Sequence, residues 1–427
     1  MTTINQQTIW NRFAENSANH AKNLADIQIN LMESRRLDLN RLVSRISNEI
    51  PGINADQGNV KRVLYETEWL REFALGDITR CLGKEFSIYA GRKSPRIPNG
   101  DLMLISRILE IDGKRGDFNR PSTITAEYDV SPDAWFFSDR DDGNIPVSIL
   151  MEIALQPCGV LSAWLHTQLR YPQIDFSFRN LDGTITMLNP ALMAGRTITT
   201  RAMLEKTSFS GSTIIQHFKF SLSCDGRDFL KGETTFGYFP EAVMAAQTGL
   251  DNGRSTNPRE ENPVSQPGGT NVPILTDKRN VDIPRNKLRM IDTVSIARDS
   301  QSGQLEYVIS SRYNNASDWY YSNHFYGDPV MPGSLGVETI LQAFSSGIKA
   351  ASGKADTVRI ACGHEMKWKY RGQVLPTNKK IYVDILVTDV KFETSGTLYR
   401  GSANLWADNL RIYEIHNIAL IQLSKED

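Results

Sequence analysis

The sequence predicts an α+β protein made of two copies of one unit, each with a single long apolar helix among strands. Three observations carry this. A stretch poor in large apolar residues divides the 427-residue chain at 246–272. Both flanks are rich in strand patterns, at 123–130 and 213–223 before it and at 357–361, 380–387 and 410–423 after it. The flanks also match at a constant offset of 186 residues, where Pro146, Ser148, Glu152, Leu155 and Gln156 fall on Pro332, Ser334, Glu338, Leu341 and Gln342.

The elements follow in chain order. Apolar residues from Ile9 to Ile46 recur at helical spacing, so residues 5–50 are expected as helix, ended by Pro51-Gly52. A second helix is expected from Asn59 to Gly76, through Leu64, Trp69, Leu70 and Phe73. Residues 1–98 thus form a helical extension and lead-in, 99–243 the first unit and 283–427 the second. Between them, 244–282 is expected as a flexible linker, because Gly, Pro, Asn and Ser there cannot bury enough surface to order the chain.

The helix of the first unit, from Ser148 to about Leu169, is apolar nearly all round, and such a helix is buried. Its exceptions, Glu152 and Gln156, lie one turn apart on one side, and Glu338 and Gln342 repeat the pattern in the second unit. A buried carboxyl is costly unless hydrogen-bonded or functional, so each Glu is either structurally satisfied or catalytic.

Composition narrows the function. Forty-eight Lys and Arg against forty-nine Asp and Glu leave a net charge of -1, which gives no basic field for nucleic acid. No run of 18 apolar residues occurs, so no membrane span is expected, and the N-terminus lacks a secretory signal pattern. Four scattered cysteines, Cys81, Cys158, Cys224 and Cys362, fit neither a disulfide framework nor a zinc site, so a cytoplasmic protein without metal or cofactor is expected. Nucleotide-cradling glycine motifs and a GxSxG elbow are absent from the sequence.

The chemistry concentrates between Asn323 and Glu338. Pro329, Pro332, Gly327 and Gly333 make a stiff loop leading into the second buried helix, whose first free N–H groups suit an oxyanion. His324 stands ten residues before Ser334, and an imidazole exchanges protons near neutral pH.

The run His324-Phe-Tyr-Gly-Asp-Pro-Val-Met-Pro-Gly-Ser-Leu-Gly336 resembles the signature of the 3-hydroxydecanoyl-acyl carrier protein dehydratase/isomerase family. Trp368-Lys-Tyr-Arg-Gly372 is similar to that family's later strand-turn motif. Gly76-Asp-Ile-x-x-Cys81, Pro98-Asn-Gly-Asp-Leu102, Gly113-Lys-Arg-Gly-Asp-Phe118, Ala126-Glu-Tyr128 and Met151-Glu-Ile-Ala-Leu-Gln-Pro-Cys-Gly159 resemble dehydratase regions of polyunsaturated fatty acid synthases.

The resemblance implies a double hotdog, two antiparallel sheets each wrapped round a long helix, preceded by the helical extension. It implies a base, His324, and an acid, Glu152, brought together across the two hotdogs. The N–H groups of Gly333 and Ser334 would bind the thioester oxygen, Gln156 would fix the carboxyl, and Phe325, Tyr326, Val330 and Trp368 would line the acyl tunnel. Glu338 and Gln342 would face the loop 138–144, which has no histidine, so that second site is expected to be degenerate. Two departures stand out: Glu replaces the Asp of homodimeric relatives, and Ser334 replaces their Cys.

The implied activity is removal of water from a 3-hydroxyacyl thioester to give the trans-2-enoyl product, in polyunsaturated fatty acid or polyketide-type biosynthesis. The partners would be acyl carrier protein and other synthase components. A homodimer of double hotdogs and double-bond isomerisation are both compatible with the resemblance. A hotdog thioesterase and a non-catalytic scaffold are the alternatives.

Overall fold

The computed structural model describes residues 63–139, 143–189, 193–256, 284–354 and 356–423. The helix expected over 5–50 lies outside them, as do residues 257–282 of the expected linker. The second expected helix is shorter than the pattern suggests. Tyr65 is extended and bridges Ile108, and helix α1 begins only at Thr67 and runs to Ala74. A short helix α2, Ile78–Leu82, follows, its first turn capped by the Asp77 side chain on the Thr79 N–H. This lead-in is packed rather than free: Leu70, Leu82, Phe86 and Leu102 are fully buried.

The first unit contains strands β1 (Arg107–Asp112), β2 (Ser122–Asp129), β3 (Phe176–Met187), β4 (Thr197–Ser210), β5 (Thr213–Cys224) and β6 (Arg227–Pro240). Between β2 and β3 lie the short helix α3 (Trp135–Ser138) and the core helix α4 (Val147–Trp164), and α5 (Glu241–Ala245) closes the unit. The second unit has β7 (Thr293–Arg298), β8 (Leu305–Tyr313), α6 (Tyr320–Asn323), the core helix α7 (Gly333–Ser352), β9 (Val358–Ile360) and β10 (Glu365–Tyr370). Strands β11 (Lys380–Glu393), β12 (Gly396–Ala407) and β13 (Leu410–Leu423) complete it.

The strands form one antiparallel sheet in the order β1-β2-β4-β5-β6-β3-β10-β13-β12-β11-β8-β7, with β9 beside β13. The second half of that order mirrors the first. Each half curves round its own helix, so the fold is a double hotdog with a shared sheet. The seam is the β3–β10 pair, where Trp368 faces Gly183. A side chain at position 183 would meet the Trp368 ring at 2.4 Å, so glycine there opens the hole that the indole fills.

Helix α4 ends at Trp164, not near Leu169. His166 takes a left-handed conformation (φ 64°), and a 3₁₀ turn over Thr167–Arg170 follows. The stretch Val147–Arg170 is long and apolar enough to cross a membrane, which the apolar-run criterion missed, yet 78% of its most apolar window is buried inside the protein. Its hydrophobicity serves the core. The expected linker also starts too early. Residues up to 256 are docked on the second unit: Asp251 pairs with Arg411, Leu250 N–H donates to the Arg411 carbonyl, and Trp406 Nε1 donates to Thr256. Polar composition misled there because the segment is held by hydrogen bonds and an ion pair rather than by apolar burial.

Candidate active site

The two helix starts cross the pseudo-symmetric interface. Ser334 Oγ on α7 donates to Glu152 Oε1 on α4 at 2.6 Å, and Ser148 Oγ on α4 donates to Glu338 Oε2 on α7 at 2.9 Å. One turn on, Gln156 Nε2 donates to Glu152 Oε2 at 3.1 Å and Gln342 Nε2 to Glu338 Oε1 at 2.9 Å. Each glutamine is itself clamped by main chain. Gln156 bridges the Leu102 carbonyl and the Leu104 N–H, and Gln342 bridges the Leu288 carbonyl and the Met290 N–H. Both carboxyls are therefore buried with partners in hand, which meets the cost of placing them there.

The symmetry breaks at the loop before each helix. In the second unit, Asp328 and Phe325 exchange backbone hydrogen bonds, and Val330 N–H returns to the His324 carbonyl at 3.0 Å. The His324–Phe325 peptide is cis. His324 Nδ1 lies 3.1 Å from the Val330 carbonyl. A carbonyl only accepts, so Nδ1 carries the proton and Nε2 keeps a lone pair. Burial lowers the His324 pKa below 6.5, against the charge of Glu152 and the Val330 carbonyl, which act to raise it.

The loop is braced by the first unit. Arg179 on β3 forks onto Asp328 with two hydrogen bonds of 2.8 Å, and Lys93 adds a third contact at 2.9 Å. Burial works to raise the Asp328 pKa, but the Arg179 hydrogen bonds and charge, with Lys93, outweigh it and hold the carboxyl below its ordinary value.

His324, Glu152, Gln156, Phe325, Val330, Gly333 and Ser334 line one cavity of about 350 Å³. Its other walls include Leu155, Gly159, Phe178, Phe236, Tyr370 and Arg179. Burial holds the Tyr370 hydroxyl far above its ordinary pKa, and this neutral phenol donates to the Gly333 carbonyl at 3.1 Å. A smaller cavity of about 120 Å³ holds Glu338 and Gln342 with Asn144, Ser345 and Lys349.

The family model described as a FabA-like domain matches residues 283–416. That stretch is similar to the FabA-like domain. A component of the polyunsaturated fatty acid synthase from Thraustochytrium sp. is 32% identical over 378 residues, covering 82% of this chain. The chain spans about a quarter of that relative's length (25%). Among solved structures, the dehydratase domain from the CurF module of curacin polyketide synthase aligns at a TM-score of 0.43 with 10% identity, over 76% of this chain and 100% of that one. A putative oleoyl thioesterase from Lactobacillus plantarum aligns at 0.43 with 9% identity, over 72% and 99%. Over most of its length the chain is thus similar to a component of a polyunsaturated fatty acid synthase.

Two residues expected in the tunnel lie elsewhere. Trp368 is fully buried in the seam, its Nε1 donating to Asn180 Oδ1 at 2.7 Å, and Tyr326 is 57% exposed beneath the Arg96 guanidinium. An aromatic near a motif is as readily core as lining, and here the empty space at Gly183 decides for Trp368. Sequence reasoning missed Arg179, Tyr370, Phe178 and Phe236 in this cavity. Tyr370 lies within the strand-turn motif that begins at Trp368, whereas Arg179 carries no local signal. Among the described residues no cluster of three or more His, Cys, Asp or Glu is arranged to hold a metal.

Proposed function

We propose that the chain removes water from a 3-hydroxyacyl thioester carried on acyl carrier protein, giving the trans-2-enoyl thioester. The observation that carries this reading is that a histidine from one repeat and a carboxyl from the other line the same cavity. In this reading Nε2 of His324 takes the proton from C2, and the C–H electron pair becomes the C2=C3 bond. This step requires Glu152 as the carboxylic acid: the C3–O bond breaks as it gives its proton to the leaving hydroxyl, and one water departs. Proton transfer from His324 back to Glu152 resets the pair.

The N–H groups of Gly333 and Ser334 sit in the first turn of α7, ahead of Leu335 and Gly336, which bond the Pro332 carbonyl. They serve as donors to the thioester oxygen, where negative charge develops. Ser334 has a second duty in holding Glu152. The carrier protein and further synthase components are the partners that this substrate implies.

Intact-mass measurement of a 3-hydroxyacyl carrier protein, and of the enoyl form in the reverse direction, tests the reading. Wild type should remove or add one water and His324→Ala should do neither. Release of free carrier thiol would instead support a thioesterase, and no mass change with any acyl group would support a scaffold.

A further inference from the structure

We propose that Gly159 sets the acyl-chain length accepted by this site, an inference that rests on the dehydratase reading. Glu152, Leu155, Gln156 and Gly159 fall on one face of α4 and all line the larger cavity. Gly159 lies seven residues beyond Glu152, about 10 Å along the helix axis. Between Ser148 and Ala163 every residue of α4 is buried except Leu155 and Gly159. The cavity therefore runs along the helix over these two positions, away from the carboxyl. Phe178, beside Gly159, stacks on Phe236 with ring centroids 4.8 Å apart, and both rings and Val243 add apolar wall to the cavity. Such a channel suits a linear acyl chain.

The molecule supplies its own comparison. On α7 the matching face carries Glu338, Leu341, Gln342 and Ser345, with Lys349 where α4 has Ala163, and all five line the cavity of about 120 Å³. A side chain thus lines the second site at the position where Gly159 leaves the first, of about 350 Å³, without one. A Cβ placed on Gly159 would meet only Phe178, at 3.5 Å, an ordinary contact. A larger side chain can then extend into the cavity instead of forcing the core apart. Replacing glycine within a helix also favours the fold, by about 0.5–1 kcal/mol.

The test compares wild type, Gly159→Ala and Gly159→Leu on 3-hydroxybutyryl and 3-hydroxydodecanoyl carrier protein. Gly159→Leu should lower the dodecanoyl-to-butyryl ratio of kcat/KM by about tenfold or more, with Ala between. Equal losses on both substrates, or an unchanged ratio, would overturn the proposal. Equilibrium binding of dodecanoyl and butyryl pantetheine thioesters reads the same preference without turnover. Length-selective binding that Gly159→Leu removes, in a protein that turns over neither substrate, would sink the dehydratase reading alone. Binding indifferent to chain length would sink this one. Melting temperatures no lower than wild type show that the variants fold.

Discussion

Ser334 and Glu152 belong to different repeats, yet the serine hydroxyl donates to the carboxyl at 2.6 Å, and Ser148 and Glu338 repeat the contact in mirror image at 2.9 Å. Each repeat thus holds the other's acid. Removing either hydroxyl leaves a buried carboxyl oxygen short of a partner, so Ser334→Ala and Ser148→Ala should each cost about 1–3 kcal/mol in denaturant unfolding. Only Ser334→Ala should also slow turnover, because only Glu152 shares a cavity with His324. Equal effects of the two variants on rate would contradict a single working site.

The carboxyls themselves give a sharper contrast. Glu152→Gln should lower kcat by about a hundredfold or more, the usual scale for losing a positioned acid. Glu338→Gln, whose cavity lacks His324, should leave kcat within about threefold. Steady-state kinetics on one substrate decide it.

His324→Ala should reduce turnover by about a hundredfold to ten-thousandfold with little change in melting temperature. A loss confined to KM would mean that the imidazole binds substrate rather than moving a proton.

The acid side of the pH profile follows from burial. In the proposed reaction His324 serves as base only when neutral, and burial lowers its pKa from 6.5. Activity should therefore persist at pH 6.5 and fall as pH drops through the lowered value. An acid limb in kcat/KM centred above 6.5 would refute this assignment. The Arg179 charge is one of the influences that lower it, so Arg179→Met should move the limb to higher pH.

The same arginine braces the loop. Arg179→Met strands Asp328 partly buried with Lys93 alone, and should destabilise the protein by about 3 kcal/mol. Adding Asp328→Asn should cost little more, because the two act as one pair. The Asp328 pKa is depressed in the fold, so its contribution is present above about pH 4 and lost as pH falls through the folded value. Strictly additive costs in the double mutant would show that the pair is not coupled.

The repeat, the buried helices, the strands over 213–223 and 410–423, and the stiff His324 loop were legible because each is a local pattern. Periodicity, proline spacing and a fixed offset survive in the sequence without any knowledge of the fold. The Arg179–Asp328 fork was not legible: its partners lie 149 residues apart and meet only because β3 lies beside β10. The same holds for Asp251 and Arg411, 160 residues apart, which hold a segment that composition alone assigns to a linker. Trp368 was misplaced for a related reason, since the hole it fills is made by a glycine on the other repeat.

The unbroken sheet across the β3–β10 seam fuses two half-sites into one polypeptide. In a dimer of identical chains every substitution is made twice, so a change that helps the acid half also alters the base half. Here each half carries its own copy of the gene's information. The loop before α4 carries no histidine, and Ser345 and Lys349 line the second cavity, while the cavity that holds His324 has its own residues at the matching positions. Asymmetry of this kind is open to a fused pair and closed to a homodimer.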